Sequence, residues 1–325
     1  MDETMTLDPQ AKAILDQVAR SPLPKMHEVP ASVARQMFEM SCQLTDMKNL
    51  PIGKVSDRTI PGPGGEIPIR LYVPVAAPAG PLPVLVYIHG GGFVIGSLDT
   101  HDGTCRLLAN EAKCLVVAVD YRLAPEHRFP SALDDSIAAV EWVAQNAGEI
   151  NADPMRIAVG GDSAGGNLSA AVAQHLRDRA RTDKSAPKVV FQLLIYPATD
   201  ALHEGTSRTA NAQGYMLDQD LMTWFFMQYI GDAEKADLAD PRISPLRHPD
   251  LSGLGAVHVV VAGFDPLRDE GIAYAEALKA AGNDVTLASF PGQIHGFCSM
   301  AGVIQEGRTA LSGGAARLRE TFAKL

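Results

Sequence analysis

The sequence predicts an α/β protein: a parallel sheet with helices on both faces. Three observations carry this. Strand-like and helix-like segments alternate from about residue 83 onward, the pattern of repeated β-then-α units. Several strand-like segments, such as Leu82-Pro83-Val84-Leu85-Val86-Tyr87-Ile88, are near-continuous apolar runs, as expected of strands covered on both sides. The 325 residues, 46% of them hydrophobic, supply enough apolar material for one large core.

The elements follow in order. Residues 9–19 and 31–44 carry helical spacing, for example Val33, Met37 and Met40, with the segment 22–30 between them. Residues 55–60 and 66–73 flank Pro61-Gly62-Pro63-Gly64-Gly65, which reads as a hairpin. Strands are then expected at 84–89, 114–120, 157–160, 189–196, 258–262 and 285–290. Helices are expected at 103–112, 132–147, 165–179, 268–281 and 303–322. One gap is unusual: about sixty residues separate Tyr196 from His258, well beyond ordinary connections. Within it, 219–230 is apolar at helical spacing (Leu221, Met222, Trp224, Phe225, Tyr229). A core helix and a lid over a pocket both fit that pattern.

A net charge of −10 argues against nucleic acid as a partner, because phosphate binding needs surplus Lys and Arg. The start, Met1-Asp2-Glu3-Thr4-Met5, lacks the basic-then-apolar profile of a secretion signal. The longest apolar stretches, 82–88 and 257–262, are too short to span a bilayer. Cys42, Cys105, Cys114 and Cys298 are scattered without C-x-x-C spacing, which suggests buried free thiols in a reducing cytoplasm.

The chemistry starts at Gly161-Asp162-Ser163-Ala164-Gly165, a G-x-S-x-G directly after the strand-like Arg156-Ile157-Ala158-Val159-Gly160. Such a turn reverses a strand into a helix within a few residues and leaves the serine hydroxyl exposed on a strained backbone. Side chains at Gly161 or Gly165 are expected to collide with neighbouring backbone. Ser163 is therefore the candidate nucleophile. Asp162 is expected to tether the turn.

His89-Gly90-Gly91-Gly92-Phe93 ends an earlier strand. Consecutive glycines let amides converge on one point, where a carbonyl oxygen becomes an anion. No Lys-Ser/Thr follows, and no G-x-G-x-x-G with a downstream ribose carboxylate is present, so a phosphate loop is not supported. His89 reads as a residue that pins this loop by hydrogen bonding, with Gly90 beside it.

A base must follow Ser163 in the order Ser, Asp, His. His175 falls inside a helix and His258 starts a strand, whereas His295 lies in Pro291-Gly292-Gln293-Ile294-His295-Gly296-Phe297, a glycine-flanked loop after the last strand. For the orienting acid, Asp200 and Asp265 both follow strands. Asp265 is nearer the last strand and Pro266 fixes the turn beyond it, so it is preferred. Asp265 would then hold His295 in the tautomer that takes the Ser163 proton.

Together, these motifs with Asp120-Tyr121-Arg122-Leu123-Ala124-Pro125-Glu126, Gly166-Asn167 and Asp265-Pro266-Leu267-Arg268-Asp269-Glu270 resemble the bacterial hormone-sensitive-lipase-like carboxylesterases. The resemblance spans nearly the whole chain. It implies an α/β-hydrolase fold, an eight-stranded mostly parallel sheet with a helical cap. The cap would comprise helices in 1–50 and an insertion at about 200–240, the rest of 51–325 forming the catalytic domain. It also implies oxyanion donors at Gly91, Gly92 and Ala164, short- to medium-chain acyl esters as substrates, frequent homodimers and no cofactor. Residues 120–130 read as a structural loop fixed by internal ion pairs and by prolines that could include a cis peptide. Two rival functions share these motifs. Plant gibberellin receptors resemble the family yet bind without turnover, having lost the triad histidine, which is present here. Amidases and peptidases use the same machinery. A metal-dependent hydrolase is not supported, because no H-E-x-x-H occurs.

Overall fold

The computed structural model describes residues 6–231 and 236–325. Met1 to Met5, read above for a secretion signal, and residues 232–235 of the expected insertion lie outside the described residues.

Two helices come first. Helix α1 (Pro9–Arg20) opens on Asp8, whose carboxylate accepts from the amides of Gln10 and Ala11, with Pro9 at the first helical position. Helix α2 (Ala31–Thr45) follows a short 3-10 turn at Met26–Glu28. The hairpin then forms from β1 (Lys54–Gly62) and β2 (Gly65–Val73), paired antiparallel as the glycine-rich turn requires.

The alternating units follow: β3 (Leu82–Ile88), α3 (Asp102–Ala112), β4 (Leu115–Val119), α4 (Ser131–Gln145), β5 (Ala152–Asp162) and α5 (Ala164–Thr182). Next come β6 (Val189–Ile195), α6 (Thr206–Ala210) and α7 (Gln219–Ile230). The chain ends with β7 (Ala256–Phe264), α8 (Arg268–Ala280), β8 (Val285–Ile294) and α9 (Gln305–Ala323). The eight strands make one sheet in the order β1-β2-β4-β3-β5-β6-β7-β8. Only β2 runs against its neighbours; from β4 to β8 every pairing is parallel.

Alternation along each strand divides the core between the two faces. On β3, Val84, Val86 and Ile88 belong to one apolar cluster, while Leu85 and Tyr87 belong to the other, all with 1% exposure or less. Burying each such side chain contributes about 1.5–3 kcal/mol, which explains why these strands read as unbroken apolar runs. Two strands run longer than their apolar runs suggest. β5 begins at Ala152 and β8 continues to Ile294, because beyond a register shift one further pair ties each end to its neighbour, Ala152 to Leu82 and Ile294 to Phe264. In β8 the backbone of Pro291 lies so near Gly263 that a Cβ there would meet Pro291 O at 2.0 Å.

Helix α7 packs on the core but is only partly covered. Of its apolar residues only Tyr229 is buried, while Leu221, Met222, Trp224, Phe225 and Phe226 are half-buried. No helix among the described residues is long and apolar enough to cross a membrane, and the four cysteines are buried and free of disulfides.

Candidate active site

The chain leaves β3 for β4 on one side of the sheet and later returns to place β5 on β3's other side. A parallel sheet opens a crevice at such a switch point, beyond the carboxyl ends of its strands. The glycine loop follows β3 and Ser163 follows β5, so the two flank that crevice.

Ser163 has φ 53° and ψ −117°, a conformation that L-residues rarely adopt. The glycines on either side make it attainable. A Cβ at Gly161 would lie 2.1 Å from Ile88 O, and one at Gly165 would lie 1.9 Å from the same oxygen. Ser163 N donates to Ile195 O at 2.8 Å, which anchors the turn to β6. α5 starts at Ala164 with no side-chain cap, so its first amides and its positive end face the crevice.

Asp265 and His295 arrive from the ends of β7 and β8. His295 Nε2 lies 2.9 Å from Ser163 Oγ, and its Nδ1 lies 2.7 Å from Asp265 Oδ2. Asp265 has no exposure, and its Oδ1 accepts from Leu267 N at 2.8 Å, so the carboxylate is fixed at both oxygens. The competing carboxylate, Asp200, is turned elsewhere. It accepts from Arg247 at 2.6 and 3.1 Å and from Leu202 N at 3.0 Å.

In the glycine loop, Gly91 O accepts from the amides of Val94 and Ile95, which curls the segment into a tight turn. No acceptor among the described residues takes the amides of Gly91, Gly92 or Ala164. Gly92, at φ 58°, sits under the ring of Phe225 from α7, and a Cβ there would fall 2.2 Å from that ring. His89 Nδ1 lies 2.8 Å from Gly90 O, and its ring stacks on Tyr121 with centroids 4.3 Å apart. Burial holds the His89 pKa down at about 4, so the ring is neutral.

Asp162 links the two halves. Its Oδ1 accepts from Gly90 N at 3.0 Å and from Tyr87 OH at 2.8 Å, and His101 Nε2 lies 3.2 Å away. Burial pushes this carboxyl up, but His101, Tyr87 and the Gly90 amide together hold it at about 2. His101 precedes Ser163 in the chain, outside the Ser, Asp, His order that points to a base. Its partner is 61 residues away, so no local pattern marks it.

Arg35 of α2 was also missed. It donates to Val94 O and Ala124 O, both at 2.8 Å, and pairs with Glu126. The 120–130 segment therefore differs from expectation in one respect. Its ion pairs are not internal: Arg122 reaches Asp135 of α4 and Glu126 reaches Arg35, since neighbouring helices supply the opposite charges. Two of its proline bonds, Ala124-Pro125 and Phe129-Pro130, are cis.

Known proteins are similar to this chain in sequence and fold. The family model described as the alpha/beta hydrolase fold matches residues 85–299. Carboxylic ester hydrolase LipN of Mycobacterium tuberculosis is 49% identical over 247 residues, covering 76% of this chain and 65% of that longer protein. Esterase LipI of the same organism is 40% identical, covering 98% of this chain and 96% of the relative. The structure of a hyperthermophilic esterase from the archaeon Pyrobaculum calidifontis superposes with a TM-score of 0.91 at 42% identity, covering 98% and 99% of the two chains. The chain belongs to the α/β-hydrolase fold family and, within it, to the hormone-sensitive-lipase-like carboxylesterases.

Proposed function

We propose that the chain hydrolyses short- to medium-chain carboxylic esters through an acyl-enzyme on Ser163. The observation that carries this is the unbroken line Ser163 Oγ, His295, Asp265, with contacts of 2.9 and 2.7 Å. Asp265 accepts from Nδ1–H, which leaves Nε2 free to take the serine proton as Oγ attacks the ester carbonyl. The oxygen of that carbonyl becomes an anion, for which the amides of Gly91, Gly92 and Ala164 are the proposed donors. Each donor in such a hole contributes about 3–4 kcal/mol to the transition state. His295 then protonates the leaving alcohol, and water, deprotonated by the same ring, releases the acid. His89 and Gly90 support the loop.

A two-part cap is proposed over this site, made from the helices before residue 50 and the segment 200–240. Two contacts support it. The ring of Phe225 lies on Gly92, and Lys25, next to the first 3-10 turn, pairs with Asp218 at the start of α7 at 3.7 Å. We further read the protein as cytoplasmic, which the four buried thiols support. It would also pair with a second copy; the outer edge of β8, with Leu287 44% exposed, supports that.

Ser163→Ala tests the mechanism. It should abolish hydrolysis of p-nitrophenyl acetate and butyrate while leaving the melting temperature within a few degrees. Retained turnover would overturn the assignment.

A further inference from the structure

The proton count around His101 leads beyond the triad. His101 stands at the start of α3, 2% exposed, with both ring nitrogens engaged. On one side Nε2 straddles the Asp162 carboxylate, 3.2 Å from Oδ1 and 3.4 Å from Oδ2. A carboxylate only accepts, so Nε2 carries a proton. On the other side Nδ1 is 2.8 Å from Thr100 Oγ1. Ser97 O, 2.9 Å from that hydroxyl, offers its one proton an acceptor, and Ser97 N donates to the same hydroxyl. With that proton donated to Ser97 O, Thr100 Oγ1 meets Nδ1 as an acceptor, and in the arrangement proposed here Nδ1 carries a proton as well. A ring with both nitrogens protonated is a cation.

The surroundings fit a cation. Asp162 faces it from β5. Asp46 at the end of α2 lies behind it and accepts from Gly103 N at 2.9 Å. The neutral groups nearby are Tyr87 of β3 and His89 just after it, with ring centroids 6.0 and 5.6 Å away, and the thiols of Cys42 and Cys105. Asp102 follows in the chain and is engaged by Arg106 and Tyr72. Burial opposes charge on His101, but Asp162 and Asp46 outweigh it and its pKa is raised.

We propose that His101 is a permanently charged positioning residue: as an imidazolium it holds Asp162 against the Gly90 amide, fixing the glycine loop to the nucleophile turn, and it cancels the Asp162 charge beside the forming oxyanion. The position of Asp162 gives the reason for the second role. It directly precedes Ser163, and an uncompensated buried carboxylate there would oppose a second negative charge on the substrate oxygen. A site so built needs a fixed cation that takes no part in proton transfer. The place beside Gly90 is shaped for this carboxylate, since a Cβ on Gly90 would lie 2.3 Å from Asp162 Oδ2. The inference rests on the reading of Ser163 as nucleophile.

The test has two arms. In ¹⁵N-histidine-labelled wild-type protein, the His101 ring should show both nitrogens protonated at neutral pH. One protonated nitrogen at neutral pH would overturn the proposal, whatever the activity. In kinetics, His101→Gln keeps a donor toward Asp162 and removes the charge. It should lower kcat about 10- to 100-fold with KM within about threefold, the split expected for lost transition-state stabilisation. Adding Asp162→Asn removes the stranded carboxylate, and the double variant should recover at least about fivefold over His101→Gln. No recovery, or a loss seen in KM alone, would refute the charge-cancelling role. Phosphonate labelling of wild-type Ser163 runs alongside; its failure would sink the nucleophile assignment and leave the imidazolium signal unchanged.

Discussion

Replacing Asp265 by Asn discriminates sharply between the two carboxylates that follow strands. Asp265 Oδ1 accepts from Leu267 N and Oδ2 faces His295 Nδ1. An amide at this position has one acceptor and one donor end. If its oxygen serves Leu267 N, its NH₂ group faces Nδ1 and forces the proton of His295 onto Nε2. That nitrogen can then no longer accept the Ser163 proton. If the amide flips, a buried backbone N–H loses its acceptor at a cost of about 1–3 kcal/mol, so the unproductive tautomer prevails. With geometry kept and the tautomer wrong, kcat should fall by about 10⁴, or about 5.5 kcal/mol. Asp200→Asn breaks a pair with a half-exposed Arg247 and should cost about 1–2 kcal/mol of stability and less than about tenfold in kcat. Hydrolysis of p-nitrophenyl butyrate and thermal unfolding of both variants measure this. A larger rate loss at Asp200 would refute the assignment.

Two further outcomes are expected. Burial holds His89 and His258 at about 4, below the unfolded value near 6.5, so each ring is neutral in the fold. The unfolded chain takes up these protons first; stability is full above about pH 6.5 and falls as pH drops toward 4, by about 3 kcal/mol per ring. His258→Gln should flatten that acid limb in urea titrations without changing ester hydrolysis at neutral pH; an unaltered limb would contradict the linkage. Phe225→Ala should open the wall above Gly92 and raise the octanoate-to-acetate ratio of kcat/KM by about 5- to 10-fold. An unchanged ratio would argue against α7 as part of a cap.

Most of the fold was legible because its signals are local. Apolar runs mark strands that are covered on both faces, and glycines at 161 and 165 mark a turn where a Cβ would strike Ile88 O. Chain order then delivers Asp265 and His295 to the same sheet edge as Ser163. Residues joined by distant partners were not legible. His101 meets Asp162, and Arg35 meets the carbonyls of Val94 and Ala124, only once β3, β5 and α2 have assembled. Strand ends were not legible for a related reason: β8 reaches Ile294 because that residue pairs with Phe264 of β7 past a register shift, not because Pro291 and Gly292 favour strands. The character of α7 also depended on context. Its composition suits a core helix as well as a lid, and the half-burial of Trp224, Phe225 and Phe226 appears only once the helix is set against its neighbours.

The central claim is that an acyl group passes through Ser163. Incubating the protein with a p-nitrophenyl phosphonate ester and mapping the adduct by peptide mass spectrometry tests it most directly. The mechanism predicts one phosphonyl group per chain, on Ser163, with p-nitrophenol released in equal amount and no labelling of Ser163→Ala. An adduct on another residue, or full loss of activity without an adduct at Ser163, would contradict it.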